Sequence, residues 1–454
     1  MKLEEKKKKE IEFLEKVFRA GSSTLSNISP IADKQKKAVE RISELGFPNR
    51  KIEDWKYYDF SPILDNFLSF DTCKITQIEK ESLKDFLFPE CEKNLLVTVN
   101  GHFSEKLSNF SFSKEDISIL NFNDPEQLKS YQGLDDLVEK YFAEGIENES
   151  NFFKACNTAL LSNAFLLKVK EGVQLKETLQ ILHISNEHCF NQTRSLIHLG
   201  ANSKINIIVT YVGLAEIPFV NNAVIETVLE EGSELVLDKI QDDTQKGILL
   251  YDLKAKLLKN SRFEYSSLNL KANSSRDKIS VDIDEEGAHA DINGLYILNG
   301  ERKAHNVITV NHNVGNSTSS QLFKGILSDK ARAEFNGAIN VARDANGTDA
   351  EQMNRHLVLS DEAHVDSRPQ LNILADDVKC AHGSTIGDLE EDEIFYLLSR
   401  GIKKDDALAM LTLSFCDEVI QKVKIESARQ HIKNMALENL DTQMHKANIV
   451  HNLR

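Results

Sequence analysis

Apolar positions along the chain fall into three stretches of different period. In the first 150 residues the spacing is helical. Ile11, Leu14, Val17 and Phe18 share one stripe, and Ala38, Val39, Ile42 and Leu45 share another. Ser29 and Pro30 supply an N-cap and a first-turn residue for the second helix, and Gly46 with Pro48 stops it. Residues 95–99 are a short apolar strand running into the turn pair Asn100-Gly101. From about residue 160 to 385 the period drops to two. A small residue followed by alternating apolar positions recurs at Ser203, Ser233, Ser261, Ala288, Ala331 and Ala363, at intervals of 30, 28, 27, 43 and 32 residues. Two copies nearly coincide, AHADING at 288–294 and ARAEFNG at 331–337. One such coil cannot bury its apolar face alone, but a stack can, so the period points to a β-solenoid. A β-sandwich also has regular short strands and is the competing reading, with the 43-residue interval the one that breaks the period.

From Asp388 onward helical spacing returns. Asp388 as N-cap and Glu391 as the third-position acid precede Ile394, Leu397 and Leu398, and Gly401 ends that helix. Leu408, Leu411, Phe415 and Val419 form the stripe of the next. These helices are expected to cap the open end of the stack and to offer apolar surface to a partner. The organisation is thus a mainly helical region with a short strand segment at 1–150, a solenoid core at 151–387 and a helical region at 388–454.

Composition narrows the function. With 41% apolar and 28% charged residues the chain can bury a core. Its net charge, 55 − 71 = −16, makes it a poor candidate for general binding to nucleic acid or an anionic membrane, where a basic face supplies the attraction. The N-terminus is charged, not a signal sequence, and the apolar run 205–220 is broken by Asn206, Glu216 and Pro218, so a cytoplasmic protein is expected. Cys73, Cys91, Cys156, Cys189, Cys380 and Cys416 are scattered with no C-x-x-C, which suits neither a disulfide framework nor an all-protein zinc site.

No P-loop, G-x-G-x-x-G after a strand, H-E-x-x-H or G-x-S-x-G is present. The acid pairs Asp361-Glu362 and Asp376-Asp377 are sequence neighbours, which on a strand face opposite ways. Trp55, the single tryptophan, reads as the anchor that docks its loop. Six of thirteen histidines lie between His289 and His382, most of them suited to structural hydrogen bonds. The sharper pair is Cys380 and His382. Two residues apart on a strand, they project to one face with Cα atoms roughly 6.5–7 Å apart. Thiolate and imidazole suit iron or zinc, yet two ligands cannot close a tetrahedral shell. Spacing alone leaves open a metal half-site and a half-buried cysteine beside a turn histidine.

Residues 357–387, LVLSDEAHVDSRPQLNILADDVKCAHGSTIG, resemble the hallmark core of the SufB/SufD family of the SUF iron–sulfur cluster assembly system. YLLSRGI at 396–402, KGI at 324–326, FNG at 335–337 and Thr348-Asp349 match further family elements. The run from Pro48 to Trp55-Lys56-Tyr57 resembles the N-terminal signature of the SufD branch, and the cysteine-bearing motif typical of SufB is missing. The stretch RDANG at 343–347 departs from the family's pattern at one turn.

The resemblance implies a right-handed parallel β-helix core with helical ends and no catalytic nucleophile. It implies a complex with a SufB-like scaffold and a SufC-like ATPase, the ATPase docking on helices within about 388–430, and it allows a homodimer when the chain is alone. His382 would lie at the interface facing a SufB cysteine, with Cys380 nearby. Iron or an iron–sulfur cluster would be held transiently and shared with the partner chain, and no nucleotide would bind this chain. Two other classes remain: a β-solenoid interaction protein without a metal role, and a β-helix polysaccharide-active enzyme, for which no converging acid cluster is visible.

Overall fold

The computed structural model describes residues 3–23, 29–66, 78–129, 131, 133–161 and 163–451. It is a β-solenoid of about eight turns with helices at both ends of the chain. Successive strands alternate between two sheets, one of ten strands and one of nine, and within each sheet nearly all neighbours are parallel and one coil apart. This excludes a sandwich, whose sheets are built from antiparallel neighbours. In-register stacking puts Ile205, Leu235, Phe263 and Ala290 in one column, all buried, so the period-two pattern becomes a continuous apolar lumen.

The 43-residue interval has a simple cause. Ser203, Ser233, Ser261 and Ala288 precede strands of the ten-stranded sheet, whereas Ala331 and Ala363 precede strands of the nine-stranded one. Passing from Ala288 to Ala331 therefore spans one and a half coils. The first series continues instead at Ser317 and Thr348, before strands Thr318–Leu327 and Asp349–Val358.

That corner repeats one piece of chemistry. Ser203, Ser233, Ser261, Ser317 and Thr348 each donate the side-chain hydroxyl to the carbonyl three residues back, at 2.6–3.3 Å. The residues before these and before Ala288, namely Asn202, Gly232, Asn260, Gly287, Asn316 and Gly347, all have left-handed backbone, with φ between 52° and 76°. Asparagine and glycine alternate for a reason. A Cβ at Gly232 would stand 2.5 Å from Asn202 Oδ1, and one at Gly287 would press still closer on Asn260. Each asparagine thus lies over the bare backbone of the next coil.

Three strands from before residue 150 join the sheets, with His102–Phe103 pairing antiparallel on Leu95–Val99. Leu95–Val99 pairs parallel with Leu179–Ser185, and Ile117–Asn121 pairs antiparallel with Asn163–Val169. Helices Leu3–Ser23, Ser29–Leu45 and Phe152–Ala159 pack with Val220, Val228, Ile248 and Leu250 on the outer face of the nine-stranded sheet. In the first helix the buried residues are Phe13 and Val17, while Ile11 is exposed.

The C-terminal helices correct three expectations. They do not cap the open end. Cys416, Val419, Ile420, Ile432 and Ala436 pack instead on Ile208, Ile240, Leu268, Leu295 and Ile326, the outer face of the ten-stranded sheet. Helix Glu391–Ser399 is capped by Glu390 backbone, and Asp388 instead accepts the Leu389 N–H. In helix Lys404–Ile420 the buried stripe is Ala407, Thr412, Cys416 and Val419, so Leu408, Leu411 and Phe415 lie to its side, partly exposed. Among the described residues no helix is long and apolar enough to cross a membrane.

Candidate functional site

Both sheets terminate at one end of the solenoid in an unpaired edge, strand His364–Ile373 in the nine-stranded sheet and Lys379–Gly387 in the ten-stranded one. A parallel edge leaves a row of backbone N–H and C=O groups without ladder partners. Pro369 lies in one of these strands, a position proline can take because an edge requires fewer backbone donors.

Cys380 and His382 sit on the second edge strand. Register places Cys380 over Ala350 and His382 over Gln352, both of which are buried in the lumen. Cys380 is half-buried against the cluster of Ile339, Val341 and Ala350. Burial pushes its thiol pKa up, an Ala350 backbone hydrogen bond acts against that, and the nearby Asp349 adds to it. A metal would therefore have to displace the Cys380 proton on binding. It is also the one described cysteine that is not fully buried; Cys91, Cys156, Cys189 and Cys416 are, and Cys73 lies outside the described residues.

His382 is exposed and has no hydrogen-bond or ion-pair partner among the described residues. The other five clustered histidines are engaged. His289 meets Thr318 Oγ1 at 2.6 Å, His305 meets Glu334 at 3.1 Å, and His364 lies 3.5 Å from Asp366. His312 bridges Ser317 and Ser319, and His356 bonds Tyr296. Among the described residues no group of three or more His, Cys, Asp or Glu side chains could hold a metal ion. What this chain can offer a soft metal is one sulfur and one nitrogen on an open edge, which fits half of a four-ligand shell. The acid pairs Asp361-Glu362 and Asp376-Asp377 lie in exposed turns.

Apolar side chains surround this end. Leu374 is 66% and Ile386 52% exposed, and Ile373 is also open. The helix that follows carries exposed apolar side chains of its own: Phe395 is 71% and Tyr396 56% exposed, and no residue of that helix is buried. These surfaces escape a sequence reading because period analysis finds apolar residues without saying which coil is last.

The segment 46–60 reaches the same end. Trp55 is buried, with the Arg276 guanidinium 3.8 Å from its ring centre and Tyr58, Phe60 and Phe153 around it, so it is the docking anchor its position suggested. Lys278–Asp54 at 3.3 Å and Lys303–Asp59 at 2.9 Å hold the segment to the nine-stranded sheet. Burial raises the Asp59 pKa, but Lys303 and the Ser61 N–H outweigh it and bring it down to about 2. At the edge strand Arg368 pairs with Glu334 at 2.6 Å and with Glu53 of this segment.

Comparison with known proteins covers nearly the whole chain. Residues 182–415 match the family described as "SUF system FeS cluster assembly, SufBD core domain", and residues 9–181 match "SufBD protein N-terminal region". The chain is 28% identical over 423 residues to an iron–sulfur cluster assembly SufBD family protein of Synechocystis sp., covering 89% of this chain and 90% of that one. It is 27% identical over 400 residues to the iron–sulfur cluster assembly protein SufD of Escherichia coli, covering 87% and 89%. To the SufD of Bacillus subtilis it is 24% identical over 411 residues, covering 87% and 91%.

Proposed function

The chain belongs to the SufBD family of SUF iron–sulfur cluster assembly proteins, and from that premise we propose that it is a non-catalytic scaffold subunit, working in the cytoplasm. Its open solenoid end pairs with a SufB-like chain, and its C-terminal helices dock a SufC-like ATPase. The observation that carries this reading is a half-site on an unpaired edge: His382 unpartnered and Cys380 beside it, rimmed by Ile373, Leu374 and Ile386. A second solenoid could add its own edge strands there, gaining backbone hydrogen bonds and covering the apolar rim. Iron or a nascent cluster would then be cargo held between chains, with His382 as the ligand from this side, Cys380 secondary and the remaining ligands from the partner. The same edges would pair two copies when no partner is present. No nucleotide site is assigned to this chain.

Exposed Phe395, Tyr396 and Met410 supply the separate apolar face for the ATPase. Co-purification tests the two faces independently. Leu374→Asp with Ile386→Asp puts charge on exposed positions of the open end and is expected to release the SufB-like chain while keeping the ATPase. Phe395→Asp with Tyr396→Asp is expected to do the reverse. Each loss should reach about 30-fold in affinity, the size of a central interface residue. Retention of both partners by both double variants would refute the docking scheme.

A further inference from the structure

Beneath the half-site the lumen holds polar side chains. Gln321, Gln352 and His382 occupy the same register position on three consecutive strands of the ten-stranded sheet. Gln352 Nε2 donates to Gln321 Oε1 at 2.9 Å, forming an amide ladder that runs along the solenoid axis. With Nε2 spent on the coil below, the Gln352 oxygen is left for the coil above, which carries His382. Gln352 is wholly buried and this oxygen has no partner. A buried acceptor left unpaired is costly, and its cost is removed if a donor arrives from above. Strands one coil apart lie about 4.8 Å from each other, within reach of that hydrogen bond.

A second observation comes from the opposite wall. Gly337, in the FNG element of the nine-stranded sheet, faces the same amide: a Cβ there would collide with Gln352 Nε2 and with the Phe335 ring. The missing side chain at Gly337 makes room for the ladder. His382, for its part, has both ring nitrogens uncommitted among the described residues.

We infer that Gln352 positions His382, its amide oxygen accepting the N–H of the lumen-facing ring nitrogen. This fixes the imidazole tautomer and turns the other nitrogen outward to the shared cargo. The role deepens, and rests on, the reading of His382 as a ligand at the partner interface. It is the outer-shell arrangement in which a metal-binding histidine donates its second nitrogen to a fixed acceptor.

The test is the tautomer of His382 in the full chain, read by nitrogen NMR with ¹⁵N-labelled histidine, at a pH where the imidazole is neutral. The His382 signal is identified by its loss in His382→Ala. In the wild type one tautomer is expected in about fivefold excess, the value of an ordinary net hydrogen bond. Gln352→Leu should abolish that excess and weaken ferrous iron binding by the co-purified complex about 10- to 100-fold. Gln352→Glu keeps the acceptor and should keep the wild-type tautomer. Gly337→Ala leaves Gln352 in place but crowds its amide, and should move the ratio in the direction of Gln352→Leu. An unchanged tautomer ratio in both Gln352→Leu and Gly337→Ala overturns the positioning role, whatever the iron content. A ratio that responds, while His382→Ala leaves iron and sulfide in the complex unaltered, upholds the hydrogen bond and defeats the ligand reading instead.

Discussion

His312 is fully buried, with Nδ1 2.8 Å from Ser317 Oγ and Nε2 2.8 Å from Ser319 Oγ. Burial lowers its pKa to about 4, so the folded chain keeps the ring neutral where the unfolded chain, near 6.5, takes up a proton. The unfolded state thus binds more protons between these values, and stability falls as pH drops through that window, by up to about 1.4 kcal/mol per pH unit. His312→Asn should be less stable than wild type at neutral pH by about 2 kcal/mol. That gap should narrow as pH falls from about 6.5 to about 4, as followed by denaturant unfolding. A gap independent of pH would contradict the burial account. Sequence alone reveals the cluster of histidines but not all their partners, because several lie a coil or more away. His289–Thr318 and His305–Glu334 are each separated by 29 residues. Once the coil length is known such pairs can be sought directly; of the two clustered histidines on the terminal edge strands, His364 lies near Asp366 while the His382 side chain has no partner among the described residues.

Elements add constraints that no single residue displays. The alternation of asparagine and glycine at one corner couples each coil to the next. Gly287→Ala would impose left-handed backbone on a Cβ and drive it into Asn260, whereas Gly172→Ala meets nothing within 4 Å and bears only the backbone cost. Both should lose about 1–2 kcal/mol to the left-handed conformation. Gly287→Ala should lose about 1–3 kcal/mol more to the collision, and pairing it with Asn260→Gly should recover that part. Equal destabilisation of the two alanine variants in denaturant unfolding would show that the ladder contact is not limiting. The corner's small residues and the two-residue period were legible in the sequence, while the half-coil shift at Ala331 was not, because both corners use the same residue types. The stripe of helix Lys404–Ile420 differs from the one its spacing predicts for a related reason. Leu408, Leu411 and Phe415 are apolar and only partly buried, while Ala407, Thr412 and Cys416 are buried and Cys416 packs on the sheet, where a small side chain permits close approach.

At the scale of the whole molecule, the placement of the C-terminal helices follows from strands that are apolar on both faces. Ile205, Ile207 and Val209 point into the lumen while Ile208 faces out, so the outer wall of the ten-stranded sheet required a cover and the open end did not receive it. A helix stripe in sequence states that a face must be buried, not against what. The last coil therefore keeps two bare edges, an apolar rim and the Cys380–His382 pair on which the proposed function rests. The net charge of −16 disfavours nucleic acid but is silent on a protein partner, and under the proposed function the remaining ligands would come from another chain. The account's central claim is that His382 holds cargo shared across that junction. Anaerobic quantification of iron and acid-labile sulfide in the complex co-purified with the SufB-like and SufC-like chains tests it most directly. The account predicts that His382→Ala retains both partners yet loses iron and sulfide by at least about tenfold. A His382→Ala complex with the wild-type content of both would contradict it.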